Sequence, residues 1–120
     1  MGFIDFFFEH LNLFSVEMES ILDALWNISD SPKNHLQYIK PKNLEKIVEI
    51  LRIETNKKSN YAHRPIIGII GNIAESNACR YSLIRYKVIP LMITVSRMNP
   101  NDSDLSYLIS YALSNLASYG

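Results

Sequence analysis

The chain is short of several things, and each shortage excludes something. A single cysteine, Cys79, among 120 residues allows no internal disulfide, the usage expected of a reducing intracellular compartment, cytoplasmic or nuclear. Cys79 lies between Ala78 and Arg80 with no acid or histidine beside it, so it reads as a buried or semi-buried structural thiol. Net charge is also missing. Twelve Lys and Arg balance twelve Asp and Glu, which removes the electrostatic footprint of a nucleic-acid binder. No apolar run approaches the roughly 20 residues that span a bilayer, so no membrane partner is expected. The opening "MGFIDFFFEH" is interrupted by Asp5 and Glu9 and lacks the basic lead and cleavage site of a signal peptide. Phe6 stands where a myristoylation signal carries Ser or Thr. Histidine is scarce and scattered: His10, His35 and His63 form no nucleophile–base pair and no metal-ligand spacing. Each reads as a surface or helix-end residue, and the chain as a non-enzyme without cofactor or metal.

What is present is an apolar share of 48% with 20% charged residues, the balance of one soluble domain with a core of its own. Self-similarity organises it. "ILDALWNISD", "IIGIIGNIAE" and "LISYALSNLA" align on Asn27, Asn72 and Asn115, spaced 45 and 43 residues apart. Each asparagine is followed by Ile or Leu and then by Ser29, Ala74 or Ala117. Two- or three-helix repeats of about 40 to 47 residues characterise armadillo and HEAT solenoids. Between the asparagines, Pro32 follows one helix and Pro41 splits the next segment into a short helix and a longer amphipathic one. "TNKKSN" then reads as a loop, and the plan repeats through Pro90 and the loop "NPNDSD" to a last helix with Asp104 as N-cap. The Ile-rich run 66–73 could pass for a buried strand, but its repeat partners are helical. The expected fold is all-α: an armadillo-like right-handed α-solenoid in a single domain spanning 1–120. Its repeat units are 1–30 (partial), 31–76 and 77–120.

At about 100° per residue, with Trp26 set at 0°, Leu22, Leu25, Ile21, Ile28 and Ala24 form an apolar arc centred near roughly 230°. Asn27, Asp23 and Asp30 fall on the opposite side, near roughly 100°, 60° and 40°. In the second unit Ile66, Ile69, Ile70 and Ile73 make the stripe, while Asn72 and Glu75 share the other face beside Gly68 and Gly71. Two helical glycines cost about 1 kcal/mol each against alanine, so something is expected to approach the backbone there. Asp30 and Glu75 hold the same repeat position, and stacked repeats make equivalent positions neighbours. Two carboxylates, two amides and an indole over a glycine floor would form a receptor for a cation, and a free α-amino group suits it. Asp30 and Glu75 read separately are ordinary surface acids, and the two asparagines ordinary ties to a neighbouring repeat.

"ALWNISDSP", then "GNIAES", then "SYLISYALSNLAS" resemble the C-terminal armadillo-like region of the zyg-eleven and Zer-one related family over about residues 18–120. Members are substrate receptors of cullin-RING ubiquitin ligases that recognise proteins with an exposed N-terminal glycine. The resemblance implies that Asp30 and Glu75 hold the α-ammonium. It implies further that Asn27 and Asn72 bind the first peptide units and that Trp26 excludes a side chain on the first residue. Asp23, Gly68, Gly71, Tyr111 and Asn115 are expected along the groove. The chain departs from the family pattern at Gly71, and at Tyr111 and Asn115, where the family tends to have a small residue and a histidine. These 120 residues carry no leucine-rich repeats or cullin-binding box, so contacts with ligase components are expected only through other regions. The rival readings are an importin-like adaptor for basic peptides and a generic interaction scaffold. Importin grooves carry Trp four residues before each asparagine; here those positions hold Asp23, Gly68 and Tyr111.

Overall fold

Three prolines and three asparagine-bearing helices set the order of elements in the computed structural model, which describes residues 2–12, 16–53 and 59–118. Among these residues the chain is all-helical. The helices are α1 (Phe3–Glu9), α2 (Met18–Ile28), α3 (His35–Tyr38), α4 (Pro41–Leu51), α5 (Ser59–Ile73), α6 (Asn77–Arg85), α7 (Val88–Met98) and α8 (Ser103–Leu116), and a 3-10 turn at Pro32–Asn34 leads into α3. Pro32 and Pro41 each open their helix, where a missing N–H costs nothing. The run 66–73 is helical as part of α5. Helix α5 packs on α2 to one side and α8 to the other, while α4 meets α1 and α7 in a second row.

The apolar stripes face as the periodicity requires. Leu22 and Leu25 of α2 and Ile66, Ile69, Ile70 and Ile73 of α5 are fully buried, as are Ile47 and Ile50 of α4. Helix α5 is the centre of the core, and among residues 62–73 only Arg64 and Asn72 are not buried. The aromatic N-terminus closes one end of this packing. Ile4 and Phe8 insert into the core while Phe3 and Phe6 stay exposed. Asp5 ties α1 to α4 through Lys40 Nζ at 2.7 Å and Asn43 Nδ2 at 3.0 Å, and these two donors hold its carboxyl below the usual range.

Several local expectations are corrected. The N-cap of α8 is Asp102, not Asp104. Asp102 has extended backbone angles, accepts from the Leu105 N–H at 3.0 Å and is gripped by Arg64 at 2.8 and 2.9 Å. Asp104 falls inside the first turn. Of the loop "TNKKSN", Ser59 and Asn60 already belong to α5, and the rest lies outside the described residues. His63 is buried inside α5 rather than at the surface or a helix end; His35 does open α3 as a helix-end residue, but it is buried. Cys79 is buried too, as its context suggested; burial pushes the thiol up to about 11, and its Sγ lies 3.4 Å from the His35 carbonyl.

His63 carries a consequence for stability. The Ile50 and Ile53 carbonyls lie beside its ring, yet neither nitrogen makes a hydrogen bond of normal geometry among the described residues. Burial therefore pulls its pKa below the ordinary 6.5. A neutral folded histidine that protonates on unfolding leaves stability intact above its unfolded pKa and erodes it as pH falls below that value. The slope approaches about 1.4 kcal/mol per pH unit while the folded ring stays neutral. Melting temperatures measured from pH 7.5 to 5 should fall less steeply for His63→Gln than for the wild type; parallel profiles would contradict this.

Candidate functional site

Each aligned asparagine sits one residue before the end of its helix, and it is the helix ends that meet. Asn72 Nδ2 of α5 donates to Ser29 Oγ, just past α2, at 2.9 Å. Ser29 in turn donates to the Trp26 carbonyl at 2.6 Å. One unit further on, Asn115 Nδ2 of α8 donates to the Gly71 carbonyl of α5 at 2.8 Å. Asn72 and Asn115 thus tie their own helix back to the preceding one. This leaves Asn72 its second amide hydrogen and its carbonyl oxygen for other partners.

The glycines are not an open floor. Both are buried, because aromatic rings of neighbouring helices lie on them. A Cβ on Gly68 would overlap Cε2, Nε1 and Cζ2 of Trp26, and one on Gly71 would come within 2.7 Å of Tyr111 Cδ2. The close approach that two helical glycines imply is therefore made by the protein's own rings, and the expected glycine groove is a surface of indole and phenol. Tyr111 also donates to Glu75 Oε1 at 3.3 Å. Trp26, Gly68 and Asn72 gather at the α2–α5 contact; Gly71, Glu75, Tyr111 and Asn115 gather at the α5–α8 contact.

Asp30 and Glu75 occupy matching places in the turns after α2 and α5, two residues beyond the last helical one, and both are exposed. Neither helix has a basic residue in its last turn. Among the described residues no Lys or Arg forms an ion pair with either acid. A helix C-terminus already carries negative potential from its free carbonyls; after α5 the Arg80 guanidinium offsets part of it through the Ala74 and Glu75 carbonyls, but neither carboxylate itself has a cationic partner among the described residues. Asn27 and Asp23 are exposed on α2.

A second layer escaped the sequence reading. His35 is buried between the two turns, with Nε2 2.8 Å from the Ser29 carbonyl and Nδ1 2.7 Å from Ser76 Oγ. Arg80 stands eight residues after Asn72, as His35 stands eight after Asn27. Its guanidinium donates to the Ala74 and Glu75 carbonyls at 2.8 and 3.0 Å. Both units therefore place a donor eight residues past the asparagine to satisfy the carbonyl two past it. That spacing was open to inspection, but His and Arg share only their donor chemistry. Tyr38 adds a third tie, its buried hydroxyl donating to the Leu25 carbonyl at 2.5 Å.

These aligned asparagine helices lie within a stretch, residues 7–120, that matches the family model described as the protein zer-1 homolog-like C-terminal domain. The chain belongs to that family. No curated protein and no solved structure matches it. The match takes in all of the candidate site and the last three residues of α1, and so extends further toward the N-terminus than the residues that carried the resemblance. Among the described residues of this zer-1-like domain, no group of three or more His, Cys, Asp and Glu could hold a metal ion. No described helix is long and apolar enough to cross a membrane.

Proposed function

We propose that this zer-1-like domain is the substrate-reading module of a cullin-RING ubiquitin ligase receptor and binds proteins through an exposed N-terminal glycine. Helices α2, α5 and α8 are read as the third helices of successive armadillo-like repeats, side by side along the peptide groove. Asp30 and Glu75 hold the α-ammonium, Asn27 and the free amide atoms of Asn72 receive the first peptide groups, and Trp26 limits the first side chain. Ligase components engage through regions outside these 120 residues, and the module itself performs no chemistry.

The observation that carries this reading is a pair of carboxylates that form no ion pair among the described residues. Two carboxylates at the ends of adjacent helices, with no basic partner among the described residues, favour an incoming cation able to donate several hydrogen bonds. An α-ammonium has three such donors and is followed at once by a peptide group, which suits the neighbouring amides. The indole, wedged on Gly68, leaves little room beside the first Cα. Titration calorimetry with peptides that differ only in the first residue tests this. Glycine should bind tightest, with Ala and Ser weaker, each added side-chain group costing about tenfold or more against a rigid wall. A preference for a Lys-first peptide would instead favour a groove for basic peptides.

A further inference from the structure

We infer that His35 is a positioning residue: by bridging Ser29 and Ser76 it fixes the spacing of Asp30 and Glu75, and so the fit of the ammonium between them. The inference rests on the peptide reading above and adds the element that holds its two acids in register. Ser29 immediately precedes Asp30, and Ser76 immediately follows Glu75. The two serines belong to different units, yet one imidazole joins them, at 2.8 Å to the Ser29 carbonyl and 2.7 Å to Ser76 Oγ.

The chemistry of the bridge is determined by its partners. A carbonyl oxygen only accepts, so Nε2 carries the hydrogen and donates to Ser29, while Nδ1 and the Ser76 hydroxyl form the second bond. Ser76 confirms that its hydroxyl is committed. It is the N-cap of α6 with extended backbone angles, but its side chain makes no cap hydrogen bond. Serine at an N-cap normally turns its oxygen to the helix N–H groups; here it faces His35 instead. Ser29 is held from its other side as well, since its own hydroxyl accepts from Asn72. The carbonyl before Asp30 and the serine hydroxyl after Glu75 are thus both fastened to one rigid, buried ring.

The test separates spacing from mere folding. His35→Leu keeps an apolar body of similar size without the two bonds, Ser76→Ala removes one arm, and His35→Gln restores a donor and an acceptor on one short side chain. Each dissociation constant for a glycine-first peptide is taken by calorimetry on the folded fraction that the stoichiometry reports. Ser76→Ala should weaken binding by about three- to tenfold, the worth of one hydrogen bond, and His35→Leu by about tenfold or more, with His35→Gln recovering most of the loss. Independently, spin labels on D30C and E75C report the distance between the two turns, since buried Cys79 does not compete for the label. The distance distribution should broaden in His35→Leu and Ser76→Ala. An unchanged distribution in both variants overturns the inference even where peptide binding is confirmed. If the wild type binds free and acetylated peptides alike, the peptide reading falls, and the label distances alone decide whether His35 spaces the turns.

Discussion

A glycine-first peptide should lose at least about a hundredfold in affinity when its α-amino group is acetylated. The loss has two sources. Acetylation removes the ammonium charge that Asp30 and Glu75 would hold, and it adds a carbonyl that the same two carboxylates repel. Both acids are exposed in the free protein, so neither carboxylate alone supplies a buried ion pair's energy. A charge-assisted hydrogen bond is worth about 1.5 kcal/mol at the low end, which sets roughly a tenfold loss for Asp30→Asn. Glu75→Gln should cost a similar factor, because Tyr111 occupies only one of its oxygens. The two acids share one ammonium, so the double variant should lose less than the product of the single losses. The pH dependence follows from the ligand: binding should persist below its α-amino pKa, about 7.7 to 8.0, and decline above it. Calorimetry on the free and acetylated peptides across pH 6.5 to 9 measures all of this. Equal affinity for the two peptides would remove the ammonium from the site.

The register of Asp30 with Glu75 was legible because helices have a period and repeats have a spacing. Asn27, Asn72 and Asn115 could be aligned without coordinates, and each lies one residue before the end of its helix. Apolar stripes were legible for the same reason. Polar contacts between turns have no period. His35 does open α3 as a helix-end residue, but nothing in the pattern marks it as buried or names Ser76, 41 positions away, as its partner. The choice between Asp102 and Asp104 was equally closed to pattern reading. Both precede the last apolar stripe; Asp102 is the cap by its extended backbone and its bond from the Leu105 N–H, and Arg64 also reaches it from α5. Gly68 and Gly71 were read half correctly: the close approach was inferred, but a sequence cannot say whether a ligand or an indole makes it.

Gly68→Ala should uncouple Trp26 from α5 and abolish glycine selectivity while leaving the domain folded. Alanine gains about 1 kcal/mol of helix propensity over glycine. Against that, the new Cβ would overlap three atoms of the indole, and overpacking of this kind costs about 1 to 3 kcal/mol. The α2 backbone cannot simply yield, because Ser29 holds the Trp26 carbonyl and is itself held by Asn72 and His35. The ring therefore swings out. Net stability should fall by no more than about 2 kcal/mol, the difference between those two effects. Because Trp26 is the sole tryptophan, its fluorescence reports the movement directly as a red-shifted emission. Gly71→Ala should be milder, since the ring it meets belongs to Tyr111, which is 37% exposed and able to rotate. The decisive comparison is the double variant Trp26→Ala with Gly68→Ala. Removing the indole relieves the clash, so the double variant should show almost no stability cost from the added methyl, a coupling of about 1 kcal/mol or more. It should still bind Gly-first and Ala-first peptides alike. Wild-type fluorescence and intact selectivity in Gly68→Ala would mean that the indole does not form the wall beside the first residue.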